Sequence, residues 1–540
     1  MEKIKTEVLI IGGGLAGLSA AIEARRAGRE VLLLCKSRAG RSGSTIMAAN
    51  NISALADPAQ DCVELFAADI LRGGRGLGDP SLARRLAADS PSGIRFLEDC
   101  GVKFLRREDR HLIQANPGHG RPRTLTADGG DHPAQISGLG LSLPLLAVAK
   151  QLGVVIWDNA CVVDLCLDAG RVRGALALAE NGRILLIQAH SAVLASGGGG
   201  RLFAKTNNTR DLTADGLALA YQAGAALCDL EFVQFHPIMG IAPARIVFPT
   251  TLFSDGAVLR NQCGERLLLR LCPEGEAGVT RDTMARAIDQ EVREGRGSGG
   301  GVFLDLRGVA PDVAQTRYRA LWTLLSRHGC DLSRTPVIVG PSVHFLMGGV
   351  CIGETAATTL PGLYAAGEVT GGLHGANRLA GNALMEAVVF GRIAGRSAAS
   401  VQPAGFDLTQ AFPPPQCGAA HPDTEFFIAQ TGRVLWRHGG LVRCASGLRQ
   451  GLKEIADLDA QFKALPQGVV SARWFCARNL LLVGRLFLES ALARRESRGA
   501  HYRSDYPRQD DSRWLGSLQV RLGTDGRPVL EFVPQPLGNS

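Results

Sequence analysis

The sequence predicts an α/β protein with a Rossmann-like domain, an inserted α+β domain that caps it, and a C-terminal helical bundle. Three observations support this fold class. A glycine-rich turn joins a strand to a helix within the first 36 residues. A second glycine-rich stretch follows a strand pattern at 191–200, and apolar residues recur at helical spacing over 425–495.

The first of these patterns is the most specific. Val8-Leu-Ile-Ile11 is typical of a buried strand, and Gly12, Gly14 and Gly17 follow it as G-x-G-x-x-G. A helix-like stretch and a second apolar strand complete the unit. This order predicts a dinucleotide-binding fold, because the glycines let backbone amides approach a pyrophosphate. The acid expected after the second strand is absent, since Lys36 stands there.

Residues 160–196 alternate between apolar and polar types and contain turn signals at 168–170 and 181–182. They predict a three-stranded meander whose last strand, 191–195, runs into four glycines at 197–200. A second glycine-rich strand end that faces the first is what an extended, two-part cofactor requires.

The rest of the chain divides by composition. Short strands mixed with a helix near 281–294 predict the inserted domain, and a proline-rich linker stands at 411–416. The tail predicts a hairpin that turns at Asp525-Gly526. The predicted boundaries are 1–240 and 346–405 for the nucleotide-binding domain, 241–345 for the capping domain, 420–505 for the helical domain and 506–540 for the tail.

Composition excludes several classes of function. The net charge of +8 is spread without a basic block, which argues against nucleic-acid binding. The 13 cysteines include no C-x-x-C pair, so no iron–sulfur or other metal site is expected within the chain. No apolar run approaches the ~20 residues of a membrane helix. Unpaired thiols and the lack of a signal peptide favour the cytoplasm, with any membrane association made through a partner.

A glycine-rich loop at 371–382 carries the first chemical signal. It follows a predicted buried strand and contains His374 and Arg378. An arginine in such a loop can hold a carboxylate through two parallel hydrogen bonds. Together with the dinucleotide-binding unit, the loop predicts a flavin enzyme that acts on a small organic acid.

These motifs, taken in order, match one family. The chain resembles the flavoprotein subunits of succinate dehydrogenase and fumarate reductase, with L-aspartate oxidase as a close relative. Nine motifs in the right order make the resemblance specific. Besides the N-terminal glycines they are 195–200, Thr213-Ala-Asp-Gly216, Gln234-Phe-His-Pro237, Arg281-Asp282 with Arg286, His344 to Gly349, Gly367-Glu-Val369, His374-Gly-Ala-Asn-Arg378 and Ser497 to Arg503.

The resemblance implies FAD as the cofactor. In the family the flavin is often attached to a histidine, but Gly43 and Ser44 occupy that place and no histidine precedes His111, so FAD is expected to bind noncovalently. The implied cofactor residues are Gly12, Gly14, Leu15, Ala16, Gly17, Lys36, Ser44, Thr45, Ala195, Gly197, Asp215, Glu368, Arg378, Ala383 and Leu384.

The resemblance also implies the catalytic groups. His344 and Arg378 are expected to hold one substrate carboxylate, and His236 and Ser254 the other. Arg281 matches the family's proton donor; the alternative for it is a salt bridge with Asp282 at the start of a helix. His374 is assigned a supporting role near the flavin.

The segment that would supply protons departs from the family pattern. Relatives carry Thr-Glu-Gly-x-Arg-Gly-Glu-Gly-Gly, whereas this chain has Ser254-Asp255-Gly256 in a shorter segment. Asp255 retains a carboxylate, Val258 replaces the relay arginine, and Arg260 is a substitute only if the loop folds differently. Residues 49–51 also differ, with Ala-Asn-Asn in place of Gln-Gly-Gly.

The loop at 118–124 is open to two interpretations. In relatives it lines the substrate pocket, where His119, Arg121 and Arg123 would select between acids. The same residues are equally consistent with a solvated basic turn.

Three functions remain open at this point. The first is hydride transfer between FAD N5 and a C4 dicarboxylate or similar unsaturated acid, with electrons from an iron–sulfur subunit or a small redox donor. The second is L-aspartate oxidase, which forms iminoaspartate and hydrogen peroxide. The third is a non-catalytic FAD-binding subunit for electron relay or assembly. The sequence leaves open the exact acid, the direction, the electron partner and the oligomeric state.

Overall fold

The computed structural model describes the chain except for residues 1, 117, 131, 133–135, 274, 277–278, 333, 403–422, 466–470 and 536–540. The linker predicted at 411–416 lies outside the described residues. Strands and helices are numbered below in chain order.

A five-stranded parallel sheet carries the N-terminal unit. Its strands are β2 Val8–Ile11, β3 Val31–Leu34, β8 Val155–Trp157, β12 Ser191–Leu194 and β19 Leu363–Ala365. The strand order is β19-β12-β2-β3-β8, with all neighbours parallel. Every residue of the three central strands is buried, as expected for a parallel sheet that is covered on both faces. The predicted α/β class with a Rossmann-like sheet is confirmed.

Helices cover this sheet, and two of them pack very closely. Helix α1 Leu15–Arg26 lies against α9 Asn382–Ala399 through glycines of α9. A methyl group at Gly395 would lie 2.2 Å from the carbonyl oxygen of Ala20. The remaining helices of this region are α2 Val63–Gly73, α3 Pro80–Asp99, α4 Leu139–Gln151 and α5 Asp215–Gln222.

The predicted meander exists, but its strands differ from the prediction. Strands β9 Cys161–Asp168, β10 Arg171–Leu178 and β11 Ile184–Gln188 are antiparallel neighbours, and β1 Glu2–Lys5 pairs with β11. The segment 191–195 was wrongly predicted as the last meander strand, because β12 pairs with β2 and β19 instead. All four residues of β12 are buried, which suits the centre of a parallel sheet.

The inserted region is a second, antiparallel sheet with three helices. Its elements are β14 Val233–Ala242, β15 Val258–Arg260, β16 Val302–Asp305, β17 Val337–Leu346, α6 Arg281–Arg293, α7 Pro311–Thr316 and α8 Arg319–Arg327. The strand order is β14-β17-β16-β15, and β14 and β17 are each 10 residues long. The predicted boundaries at 240/241 and 345/346 fall inside these two long strands, which continue from one region into the other.

The C-terminal region contains the predicted helices and hairpin. Helices α10 Thr424–Gly439, α11 Ala445–Lys463 and α12 Ala472–Ala493 pack together through aromatic contacts such as Phe427 with Phe462. The hairpin joins β21 Gly516–Leu522 to β22 Pro528–Pro534 and extends a sheet with β13 Leu227–Cys228.

The other elements of the described chain are β4 Asn51–Ser53, β5 Arg106–Arg107, β6 Arg110–His111, β7 Thr124–Thr126, β18 Gly349–Cys351, β20 Thr370–Gly371 and α13 Asp511–Trp514.

The close α1–α9 contact gives a test of the packing. Glycine to alanine in a helix ordinarily stabilises by up to about 1 kcal/mol. At Gly395 the added methyl group meets the Ala20 carbonyl, so we expect Gly395→Ala to destabilise the protein by about 1–3 kcal/mol. Thermal unfolding measures the change. Gly353→Ala is the matched control, because a methyl group there meets no atom within 4 Å; an equal effect in both variants would contradict the packing argument.

Candidate active site

The N-terminus of α1 provides an open anion site. Gly14 caps the helix without a side-chain hydrogen bond, and the first turn contains no acidic residue. The hydroxyl of Thr45 accepts a hydrogen bond from the Leu15 amide at 3.1 Å. A methyl group at Gly12 would lie 2.2 Å from the carbonyl oxygen of Ala195. The two glycine-rich strand ends therefore meet beside a helix N-terminus that favours a pyrophosphate.

A partly buried ion pair lies after β3, at the position where the sequence lacks the expected acidic residue. Lys36 Nζ donates to Asp215 Oδ2 at 2.6 Å and to the Thr213 hydroxyl at 2.6 Å. Asn479 of α12 donates to the other Asp215 oxygen at 2.9 Å. Burial opposes the charge on Lys36, but the Asp215 carboxylate outweighs it and raises the pKa of Lys36. Asp215, which is distant in sequence, thus places a carboxylate beside the end of β3.

The second glycine-rich stretch makes room for Glu368. A methyl group at Gly198 would lie 2.3 Å from Glu368 Oε1. The carboxylate accepts from the Leu346 amide and the Ser44 hydroxyl, both at 3.2 Å. Burial raises the pKa of Glu368 to about 7, although these two hydrogen bonds favour the charged form.

The N-terminus of α9 is also open. It is capped by Gly381 with no side-chain hydrogen bond, and Ala383 and Leu384 lie in its first turn. Asn382 is fully buried, and neither its amide oxygen nor its amide nitrogen has a hydrogen-bond partner. Orphaned polar atoms of this kind are costly unless a ligand satisfies them. The region therefore fits an extended dinucleotide such as FAD. The features that fit it are the two helix N-termini without side-chain caps, the Lys36–Asp215 pair and Glu368.

Four basic side chains, His236, His344, Arg281 and Arg378, form what we call the cationic group. The rings of His236 on β14 and His344 on β17 meet edge to face with centroids 5.6 Å apart. Burial, together with Arg281 and Arg378, lowers the pKa of His236 well below its usual value, and burial with Arg378 does the same for the pKa of His344. The imidazoles are therefore neutral near pH 7, and the positive charge resides on the two arginines.

Arg378 is buried among neutral partners. Its Nη2 donates to Gln234 Oε1 at 2.8 Å, and its guanidinium lies 4.5 Å from the centre of the Phe345 ring. Its Nε atom has no hydrogen-bond partner among the residues that the structure describes. Burial and the nearby Arg281 lower the pKa of Arg378 to about 10. The guanidinium is thus held in place and retains a free donor.

Arg281 is the first residue of α6, and among the described residues its guanidinium makes one hydrogen bond to a side chain. Its Nη2 lies 3.4 Å from the Thr250 hydroxyl, and burial lowers its pKa. The alternative salt bridge with Asp282 does not form, because Asp282 pairs with Arg286 at 3.3 Å. Within the part of the chain that the structure describes, no carboxylate pairs with Arg281.

Two predicted catalytic residues lie away from this group. Ser254 is exposed at the end of the 3₁₀ helix Thr250–Phe253. Asp255 contacts Arg317 at 3.0 Å and the hydroxyl of Tyr318. The 3₁₀ helix places Thr250 beside Arg281 and leaves Ser254 exposed, so Thr250 rather than Ser254 supplies the hydroxyl that contacts the cationic group.

Arg260 is not a substitute for the missing relay arginine. It lies on β15 and donates to Asp305 of the adjacent strand at 3.1 Å. Val258 occupies the same strand. The end of the shortened segment, 258–260, is therefore part of the sheet.

The 118–124 loop is exposed over 118 and 120–122 but carries a buried arginine at its end. Arg123 is fully buried, donates to Asp61 at 2.8 Å and to Asp69, and stacks over Phe66. Arg121 is exposed. His119 Nε2 lies 2.9 Å from the carbonyl oxygen of Ala380, so this histidine borders the loop that carries Arg378.

A turn from the C-terminal region holds the Arg378 loop. We call residues 498–501 the clamp. The Ala500 amide donates to the carbonyl of Ala376 at 3.0 Å, and Arg498 donates to the carbonyl of Arg75 at 2.8 Å. His501 Nδ1 lies 2.6 Å from Arg443 Nη1. The clamp thus joins the helical region to the loop of the cationic group.

The sequence did not indicate several residues that contact the predicted site residues. They have ordinary polar or aromatic types, and of these residues Gln234 and Phe345 lie in motifs that the sequence singled out. Asn207 Nδ2 lies 3.0 Å from His344 Nδ1, and Glu386 Oε2 lies 2.9 Å from His374 Nε2. The others are Thr250 and Phe345, described above.

The fold and site define a class of protein: a flavin-dependent oxidoreductase whose inserted domain brings basic side chains to the FAD-binding domain. Comparison with known proteins agrees. A model described as "FAD binding domain" matches residues 7–384, and one described as "Fumarate reductase flavoprotein C-term" matches 429–536. The chain belongs to the succinate dehydrogenase and fumarate reductase flavoprotein family, and FAD is its cofactor.

Relatives cover nearly the whole chain. An uncharacterized FAD-dependent oxidoreductase of Methanocaldococcus jannaschii is 35% identical, over 96% of each chain. A fumarate reductase (CoM/CoB) chain of Methanothermobacter marburgensis is 34% identical, over 94% of this chain and 95% of the relative. L-aspartate oxidase of Caulobacter vibrioides is 34% identical, over 98% of each. A solved quinol-fumarate reductase chain is 28% identical, with a TM-score of 0.89 and full coverage of both chains.

No helix among the described residues is long and apolar enough to cross a membrane. In the same part of the chain, no group of three or more histidine, cysteine, aspartate or glutamate residues is arranged to hold a metal ion.

The clamp gives a prediction about substrate binding. A methyl group at Gly499 would lie 2.4 Å from the Ala376 carbonyl oxygen, so Gly499→Ala pushes against the Arg378 loop. We expect KM for the substrate to rise about tenfold while FAD content is unchanged. The reason is that the shift displaces Arg378, the residue expected to bind a substrate carboxylate. Gly526→Ala is the matched control: its φ is also positive, but a methyl group there meets nothing. Equal KM values in the two variants would show that the clamp does not position Arg378.

Proposed function

We propose that this protein transfers a hydride between FAD and the C2–C3 bond of a small dicarboxylate of the fumarate–succinate type. The observation that supports this most strongly is the cationic group, in which two arginines and two histidines are collected without a carboxylate partner among the described residues. Unpaired buried charge is costly, so such a group favours a ligand with two negative charges. The two arginines of this site could therefore bind the two carboxylates of a dicarboxylate substrate.

The surroundings of Arg378 favour a substrate without an amino group. The carboxylates that act electrostatically on Arg378 are Glu368 and Glu386. Glu368 accepts from Ser44 and Leu346, and Glu386 is bound to His374 and Thr370. Neither is free to receive an ammonium group, which L-aspartate would bring.

L-aspartate oxidase is the second candidate. The specific observation in its favour is the 34% identity to the Caulobacter vibrioides enzyme over 98% of each chain. In that case aspartate would be oxidised at its C–N bond, with release of hydrogen peroxide in air. It is the weaker candidate because neither Glu368 nor Glu386 is free to bind the ammonium group of aspartate.

The proposed mechanism assigns a task to each described residue. FAD, when bound, supplies or accepts the hydride. Arg378 and His344 hold one carboxylate, and His236 with the Thr250 hydroxyl holds the other. Fixed donors at both carboxylates withdraw charge from the double bond before reaction. Arg281 donates a proton to the second carbon, since proximity in a buried site offsets its high pKa.

Two further features belong to this proposal. FAD is bound noncovalently, because Gly43 and Ser44 stand where a covalent histidine would be. The flavin exchanges electrons with an iron–sulfur subunit or a small redox donor. The likeness to a quinol-fumarate reductase chain, whose name pairs fumarate with a separate electron donor, supports this second feature.

The substrate assay separates the candidate functions. The purified protein is expected to release all its FAD on acid precipitation and to oxidise a reduced dye only when fumarate is present. FAD that remains in the precipitate would contradict noncovalent binding. Oxygen uptake with L-aspartate in place of fumarate reduction would establish the oxidase, and activity with neither acid would favour a non-catalytic subunit.

Arg281→Lys tests the proton donor. Lysine retains the charge but cannot reach Thr250 and substrate in the same geometry, so we expect kcat to fall about 10²- to 10⁴-fold with FAD content unchanged. Arg286→Lys is the control, since Arg286 lies on the same helix and pairs with Asp282. Turnover of Arg281→Lys equal to that of the control would remove Arg281 from the mechanism.

A further inference from the structure

Two consecutive asparagines lie beside His344. Asn207 Nδ2 is 3.0 Å from His344 Nδ1, and Asn208 Nδ2 is 3.1 Å from the carbonyl oxygen of His344. The segment that carries them is bonded to β17: the Asn207 amide donates to the carbonyl of Val343 at 3.1 Å, and the Val343 amide donates to the carbonyl of Lys205 at 2.9 Å. Both side chains are therefore held against the strand that carries His344.

The contact with the backbone determines how the Asn208 amide is oriented. A carbonyl oxygen only accepts hydrogen bonds, so the Asn208 atom that lies 3.1 Å from the His344 carbonyl is the nitrogen. The same nitrogen lies 3.0 Å from Asn207 Oδ1. Because an NH2 group only donates, this Asn207 atom must be the oxygen. The Asn207 nitrogen is then the atom that faces the imidazole ring.

The two amides determine which ring nitrogen of His344 carries the proton. Asn207 Nδ2 donates, so His344 Nδ1 accepts through its lone pair. Asn207 Oδ1 lies farther from Nδ1, at 3.4 Å, and already accepts from Asn208. Burial and Arg378 lower the pKa of His344, so the ring is neutral near pH 7. Its single proton therefore resides on Nε2.

The proposed reaction needs a hydrogen-bond donor here. This step rests on the proposed function, in which His344 and Arg378 hold one substrate carboxylate. A carboxylate only accepts, so the tautomer with its proton on Nε2 binds it, whereas a lone pair on Nε2 would repel it. The hydrogen bonds of the His344 ring within the described chain all involve Nδ1, which leaves Nε2 for a ligand.

We propose that Asn207 and Asn208 are positioning residues that fix His344 as a hydrogen-bond donor to one carboxylate of the substrate. The backbone carbonyl of His344 orients Asn208, Asn208 orients Asn207, and Asn207 keeps the ring proton on Nε2. Both asparagines act through His344. The site thereby gains a neutral donor beside Arg378 without a third buried charge, which would be costly.

The position of the ring proton is measured in the FAD-loaded full chain. Nitrogen NMR of protein labelled with ¹⁵N-histidine distinguishes protonated from unprotonated ring nitrogens, and His344→Gln identifies the signals of His344. We expect wild-type His344 to be protonated at Nε2 alone. In Asn207→Asp both side-chain oxygens accept, so we expect a proton on Nδ1. A proton on Nδ1 in the wild-type protein, or none there in Asn207→Asp, would overturn the proposal.

Kinetics separate the loss of this orientation from a general loosening of the segment. Asn207→Leu removes the donor with little change in volume, so we expect KM for fumarate to rise about tenfold with kcat nearly unchanged. Loosening would instead lower the melting temperature and the FAD content. Asn181→Leu is the matched control, because Asn181 lies in an exposed turn, where it accepts from Arg183. Equal KM values in the two variants would contradict the proposal.

Failure of the wild-type protein to reduce fumarate would contradict the proposed function, and with it the carboxylate role of His344. The ring proton seen by NMR tests the effect of the two asparagines independently of any substrate.

Discussion

The site depends on one constraint: two arginines and two histidines, of which Arg378 and His236 are buried and Arg281 and His344 are partly buried, lie together with no carboxylate partner among the described residues. Taking a charge out of water costs several kcal/mol unless it is paired. The protein limits this cost because both imidazoles are held neutral and Arg378 rests on Gln234 and the Phe345 ring. Under the proposed function, an anionic substrate would neutralise the charge that remains on the two arginines.

The fold brings the four side chains of the cationic group together from separate elements. His236 and His344 come from two long paired strands, Arg281 from the start of α6, and Arg378 from a loop. That loop is fixed by the clamp, which in turn is anchored by buried arginines such as Arg443 and Arg494. Arg443 donates to the carbonyl of Glu231 at 2.7 Å as well as contacting His501, and rearranging a buried charge that is held in this way is costly.

The segment that diverges from the family pattern leaves the cationic group unaltered. Its 3₁₀ turn presents Thr250 to Arg281, which has no carboxylate partner among the described residues. His236, Arg281, His344 and Arg378 all retain the residue types of the family's motifs. Asp255, the carboxylate that the segment retains, contacts Arg317 and Tyr318 instead of Arg281.

The sequence by itself predicted the Rossmann-like sheet, because glycine spacing and apolar runs are local signals. Its resemblance to the family supplied FAD and the four residues of the cationic group. It misplaced β12 in the meander and Ser254 in the site. Only the tertiary structure decided those points, since strand pairing is chosen by burial on both faces, and a one-turn shift in a 3₁₀ helix moves a side chain from pocket to solvent. Contacts such as Lys36 with Asp215, 179 residues apart, leave no local trace in the sequence.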